Sequence, residues 1–243
     1  MKQVAIVTGA SRGIGAAIAQ RLAGEGYAVV VNYAGNVAEA QGVVDAIHEQ
    51  GGEAYAVRAD VSDSAAVRSL FDAAIDRYGR VDVLVNNAGI MPPALPYLAD
   101  TDDATFDRLF AVNVKGTFNT LRAAATRLEQ GGRIVNFSTS VIGIAMPGYA
   151  IYAATKGAVE VMTNILAKEL RGKNITVNAV APGPTGTELF LNGKTPEQIE
   201  RMAKMAPLER LGTPADIADA VAFLAAPNSW INGQTLRANG GIV

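Results

Sequence analysis

The sequence predicts an α/β fold: a single doubly wound domain over residues 1–243, with one parallel sheet of seven strands covered by helices on both faces. Three observations carry this. Seven short apolar runs alternate with longer segments of helical periodicity along the whole chain. The runs are apolar nearly throughout instead of alternating with polar residues, as strands buried on both faces require. The first run also breaks into a glycine-spaced turn and then becomes helical, the order of events at a nucleotide phosphate site.

The elements follow in order. Val4 to Val7 read as the first strand, Gly9, Gly13 and Gly15 as a tight turn, and Ala16 to Ala23 as the helix whose N-terminus faces an anion. The glycine spacing is Gly-x3-Gly-x-Gly, and Thr8 precedes it at the strand end. Strand two is expected over Tyr27 to Asn32, followed by a helix from Val37 to Gln50 that Gly51 and Gly52 close. Next come a strand at 53–58, a helix at about 63–78, a strand at 81–85, a long helix at about 102–128 and a strand at 133–137. The last elements are a helix at about 149–170, a strand at 175–180, a helix at about 214–224 and a strand near 235–237. In such a Rossmann-type sheet a ligand binds at the carboxyl edge.

Composition narrows the function. Lys plus Arg (21) nearly balance Asp plus Glu (23), for a net charge of -2, and no stretch forms a basic arm. Neither nucleic acid nor an anionic membrane is an expected partner. The chain has no cysteine and one histidine, His48, on an expected surface helix. Disulfides and thiol chemistry are excluded, a serine hydrolase has little to work with, and no metal site is evident. The uncharged run from Ile134 to Thr155 is long, but Asn136, Pro147, Gly148 and several hydroxyl residues interrupt it, so it reads as a buried strand followed by an active-site loop. Met1 stands three residues before the first strand, so no leader is expected and the cytoplasm is the expected location.

The end of the second strand selects the dinucleotide. An acidic residue there would accept from the ribose hydroxyls and repel a 2′-phosphate, but the positions hold Asn32, Tyr33, Ala34, Gly35 and Asn36. Arg12, in the glycine turn, can pair with a phosphate in that region. NADPH is therefore expected over NADH. Asp60 and Val61 follow the third strand and Asn86, Asn87, Ala88 and Gly89 the fourth, at the same edge, bordering adenine and the nicotinamide ribose respectively. Asp60 could equally cap the helix after it.

Tyr152 and Lys156 stand four residues apart on an expected helix, which puts phenol and ammonium on one face. A nearby cation favours phenolate and moves a tyrosine toward acid–base use near neutrality. Ser138, Thr139 and Ser140 end a neighbouring strand at the carboxyl edge, and Asn113 lies in the long helix, so hydroxyl, amide, phenol and ammonium can converge beside a nicotinamide.

With these residues assembled, the chain resembles the short-chain dehydrogenase/reductase family along essentially its whole length. The resemblance rests on Thr8-Gly-Ala-Ser-Arg-Gly-Ile-Gly15, Asp60-Val61, Asn86-Asn-Ala-Gly89, Asn113, Tyr152 with Lys156, and Pro182-Gly183 with Thr187, in the family's order. Val31-Asn-Tyr-Ala34, Lys168-Glu-Leu170 and Arg237-Ala-Asn-Gly-Gly241 look most like the NADPH-dependent reductases grouped with trihydroxynaphthalene reductase and 3-oxoacyl-carrier-protein reductase. The resemblance implies NADP(H) as cofactor. It implies contacts from Gly9, Ser11, Arg12, Gly13, Ile14 and Gly15 in the turn, from Asn32, Tyr33, Ala34, Asp60, Val61, Asn87, Ala88 and Gly89 at the strand ends, and from Tyr152 and Lys156. Pro182, Gly183, Thr185 and Thr187 would close over the nicotinamide.

The implied reaction is reduction of a ketone to a secondary alcohol. Tyr152 would give the carbonyl oxygen a proton, Lys156 would hold the ribose and lower the pKa of Tyr152, and Asn113 would position a water. The family's usual serine, thirteen residues before the tyrosine, is Thr139 here, and either Thr139 or Ser140 would orient the substrate. Residues 186–211 fall where a substrate lid belongs, with apolar Leu189, Phe190, Leu191, Met202, Met205 and Leu208, and Ile90 to Tyr97 would form the opposite wall. Val159, Met162 and Ile165 could serve the core or a homotetramer or homodimer interface; light scattering would show a monomer if that assembly were wrong. The competing readings are a dinucleotide-responsive regulatory protein that has lost turnover and an alcohol dehydrogenase working in the oxidative direction.

Overall fold

A computed structural model describes residues 2–92, 94–227 and 229–243. All seven expected strands form one parallel sheet in the order β3-β2-β1-β4-β5-β6-β7: β1 Val4–Val7, β2 Ala28–Tyr33, β3 Glu53–Arg58, β4 Val83–Asn86, β5 Arg133–Phe137, β6 Thr176–Pro182 and β7 Thr235–Ala238. Successive side chains on a strand point to opposite faces, so each strand feeds two cores. Ala5 and Val7 join one with Ile18, Leu22, Val44, Ile47, Val221 and Leu224. Val4 and Ile6 join the other with Val67, Leu70, Phe71 and Leu121. The first core is covered by α1 Gly13–Gly24, α2 Val37–Glu49 and α10 Pro214–Ala225. On the second face lie α3 Ser64–Tyr78, α5 Gly116–Arg127 and α7 Ala150–Glu169, with the short α6 Val141–Ile144 between β5 and α7.

The expected helix at 102–128 is present but not uniform. It comprises α4 Asp103–Leu109, a wider π turn over Phe110–Lys115, and α5. The π turn contains Asn113, and such turns collect at functional sites. Two glycines of the phosphate turn prove to be helical, since α1 begins at Gly13, not Ala16. Gly9 and Gly13 both have left-handed backbone (φ +60° and +57°), which explains glycine at each. At Gly15 a Cβ would stand 2.3 Å from the Gly9 carbonyl oxygen, so only glycine lets helix and turn close on each other.

The chain proceeds outward from β1 in one direction and from β4 in the other, and β1 and β4 are neighbours. This switch in direction opens a crevice at the carboxyl ends of the strands. At the opposite, amino edge of the sheet, buried Asp82 accepts from the Val4 amide at 2.8 Å and pairs with both Arg80 Nε and Nη2, tying β1 to the start of β4. Among the described residues, no helix is long and apolar enough to cross a membrane.

Candidate active site

The crevice is a cleft of about 910 Å³, open mouth included. Its inner wall carries Tyr152, Lys156 and Thr139, with Asn87 and Gly89 from the end of β4 and Thr185 and Thr187 after β6. The two candidate relay residues sit on α7 as their spacing requires, with the Lys156 ammonium 5.9 Å from the Tyr152 ring centre. Lys156 is buried and donates to the Phe137 carbonyl at 2.9 Å, which leaves two of its three donors for a ligand. Burial pulls its pKa down to about 8. The same burial pushes Tyr152 up to about 12, opposed by the neighbouring Thr139 hydroxyl. This departs from the expectation that Lys156 holds Tyr152 low: desolvation outweighs any charge effect here, and Tyr152 is a phenol that keeps its proton.

Thr139 and Ser140 differ in what each hydroxyl touches. Ser140 donates to the Ala181 carbonyl at 2.9 Å and accepts from Asn239 at 2.9 Å, tying β5, β6 and the C-terminal segment together. Thr139 faces Tyr152. Ser138 is also engaged, through a 2.5 Å bond to Glu160 of α7.

Other sequence candidates turn out to be internal ties. Asn113 is fully buried; its amide accepts from the Ile90 amide at 2.8 Å and donates to the Ile90 carbonyl and Thr155. With both ends engaged, the side chain joins the segment after β4 to α7, and the expected water-positioning role has no free side-chain donor to rest on. Asn32 is likewise buried, accepting from Gly9 and donating to the Val57 and Ala59 carbonyls, so it braces the glycine turn instead of facing a cofactor. Tyr33 and Val61 are buried in the two cores, while Ala34 is exposed at the edge. Asp60 does not cap α3, since Asp63 does; Asp60 is exposed at the carboxyl edge and accepts from Ser62.

Arg12 is where the expected ligand pairing meets competition. The guanidinium projects from the turn and lies 3.2 Å from Glu188 and 3.8 Å from Glu39. Sequence reading missed both carboxylates, which are 27 and 176 positions away and reach Arg12 only in the folded chain. It also missed Arg58, opposite Tyr33 in the β2–β3 register, whose Nε donates to the Ala34 carbonyl and sets a second cation at the adenosine end.

The residues present fit a dinucleotide. Helices α2, α3 and α10 start with side-chain caps from Asn36, Asp63 and Thr213, whereas Arg12, the residue before α1, supplies none, so the first amides of α1 stay open toward the glycine turn. Ser11, Gly13 and Ile14 border that opening, and Ile14 lines the cleft. At Gly89 a Cβ would fall 3.4 Å from Lys156 Nζ and 3.2 Å from Asn113 Oδ1, so glycine keeps clear the space above the ammonium. Ala88 packs against Gly9, where a Cβ would be 2.9 Å from Ala88 Cα. Pro182 and Gly183 end β6 beside the cleft, and Thr187 stands against Gly13.

Residues 186–211 form two short helices, α8 Glu188–Leu191 and α9 Pro196–Lys204, joined by loops. Of their apolar residues, Leu189, Phe190 and Met202 reach the cleft. Leu191, Met205 and Leu208 are exposed. From the opposite segment Ile90 and Met91 line the cleft, Tyr97 is exposed, and Pro93 lies outside the described residues.

Known proteins agree with this geometry. A family model described as enoyl-(acyl carrier protein) reductase matches residues 9–243. An Arabidopsis thaliana protein named NADPH-dependent aldehyde reductase-like protein, chloroplastic, is 46% identical over 254 residues, covering 99% of this chain and 94% of its own. The chain belongs to the short-chain dehydrogenase/reductase family. Membership places it among oxidoreductases. A Burkholderia cenocepacia short-chain dehydrogenase in complex with NADP superposes with a TM-score of 0.92 at 37% identity, over 99% of this chain and 97% of that one. The landomycin C-6 ketoreductase LanV, with bound NADP and rabelomycin, gives 0.89 at 36% identity over 99% and 96%.

Proposed function

We propose that this short-chain dehydrogenase/reductase uses NADPH to reduce a ketone to a secondary alcohol. The observation that carries the reading is the junction of Tyr152, Thr139 and Lys156 at the switch point of the sheet, beside an uncapped helix N-terminus and Arg12. The NADP-bound relatives and the NADPH-dependent aldehyde reductase-like protein support the cofactor choice.

When bound, NADPH supplies the hydride that the carbonyl carbon accepts. Thr139 and Tyr152 hold the carbonyl oxygen, and Tyr152 gives it the proton, so ketone, NADPH and one proton become alcohol and NADP+. The phenolate left on Tyr152 is stabilised by the Thr139 hydroxyl and the Lys156 charge until solvent returns the proton. Lys156 turns its two remaining donors toward the nicotinamide ribose. Asn113 acts as a positioning residue by fixing Ile90 and Thr155 around that space. A tyrosine that keeps its proton is suited to the reductive direction, where it must act as an acid. Residues 186–211 act as the substrate lid, and Leu189, Phe190 and Met202 give the substrate site an apolar face. The exposed Phe106, Phe118, Val161 and Ile165 supply the apolar surface that a homotetramer or homodimer would cover, while Val159 and Met162 belong to the interior.

The test is loss of NADPH absorbance with purified protein across aryl ketones, quinones, aliphatic diketones and acyl thioesters. Turnover that yields one alcohol per NADPH is expected. A folded protein that binds NADPH and reduces none of them would turn the reading toward a dinucleotide sensor.

A further inference from the structure

The cleft contains a second tyrosine that the reaction above does not use. Tyr149 is the residue before α7 and lines the cleft, 94% buried. Its side chain gives the helix no cap bond. A tyrosine that lines a cleft with its ring packed away can offer its hydroxyl to a ligand.

Several other polar side chains of the inner cleft already have protein partners. Ser138 donates to Glu160, Ser140 to Ala181, Thr185 to Gly183 and Thr187 to Thr185, while Asn87 donates to Thr8 and Gly9. Tyr149 stands three residues before Tyr152, the two rings meeting edge to face with centres 6.4 Å apart. Both phenols line the one cleft, with Tyr149 beside Tyr152. Beyond the two phenols the cleft turns apolar, through Ile144, Leu189, Phe190 and Met202.

We propose that Tyr149 is a specificity residue whose hydroxyl binds a second oxygen of the substrate, so that the preferred substrates are vicinal or 1,3-dicarbonyls and hydroxy ketones with an apolar remainder. The inference rests on the reductase reading and names its substrate class. Binding one oxygen at Tyr149 would aim the neighbouring carbonyl at Tyr152 and Thr139. A simple ketone lacks this second anchor.

The experiment compares Tyr149→Phe with the unsubstituted enzyme on a matched pair, 1-phenyl-1,2-propanedione and propiophenone, with NADPH. The substitution removes one oxygen and keeps the ring. Losing one ligand hydrogen bond corresponds to about a tenfold fall in kcat/KM. That fall is expected for the dione, mainly through KM, with propiophenone changed less than about twofold on the same scale. Thermal midpoint and NADPH affinity are expected to hold, which separates the effect from misfolding. Equal losses on both compounds, or no loss on either, would overturn the role of Tyr149 while leaving the reductase standing. If the unsubstituted enzyme oxidised NADPH with neither compound, the reductase reading would fail and this inference with it.

Discussion

Tyr152→Phe is expected to lower kcat for ketone reduction by about a thousandfold, the scale of a lost general acid, with NADPH affinity nearly unchanged. The phenol is the group placed to protonate the carbonyl oxygen, and the ring alone maintains the packing against Tyr149. Thr139→Ala should lose less, since a hydrogen bond and not the proton is removed, whereas Ser140→Ala should act on stability, because that hydroxyl ties Ala181 to Asn239. The pH profile carries the same logic. Lys156, with its pKa pulled down to about 8, is charged below that pH and neutral above it. Reductive kcat/KM should be level below pH 8 and decline above it, while Tyr152, pushed up to about 12, keeps its proton throughout that range. Activity that climbed with pH through this window would mean that Tyr152 works as a base and the enzyme as an alcohol dehydrogenase.

The second large effect is expected at Arg12. Arg12→Ala should weaken NADPH binding by about ten- to thirtyfold, since charge-assisted bonds to phosphate exceed neutral ones, and leave NADH binding almost unaltered. The estimate stays at the lower end because Arg12 is exposed and its charge is screened. Glu188 and Glu39 now compete with the phosphate for the guanidinium, so Glu188→Gln should strengthen NADPH binding modestly. Ala34→Asp, which adds a carboxylate at the exposed end of β2, should move preference toward NADH. Fluorescence titration with both cofactors checks all three variants. Equal losses for NADPH and NADH on Arg12→Ala would remove Arg12 from phosphate recognition.

The sheet was legible in the sequence because its strands are buried on both faces and therefore apolar without interruption. The glycine turn was legible because left-handed backbone at Gly9 and Gly13 and contact at Gly15 each demand glycine. The pairing of Tyr152 and Lys156 followed from helical spacing. What remained hidden depends on distant chain segments. Whether Ser140 or Thr139 faces the tyrosine depends on Asn239, about a hundred residues away in the chain. Asn32 and Asn113 look like ligand-binding amides until their backbone partners are known. Arg12 gives no local sign of its two carboxylates, and Tyr149 no sign that it lines the cleft. The raised pKa of Tyr152 reflects burial, which neighbouring residues in sequence do not report.

The most direct test follows the hydride. With NADPH deuterated at the transferring position and an α,β-unsaturated ketone as substrate, NMR of the product shows which carbon received it. The account predicts one deuterium on the carbinol carbon of an allylic alcohol; deuterium on the β-carbon of a saturated ketone would contradict it and make the protein a reductase of carbon–carbon double bonds.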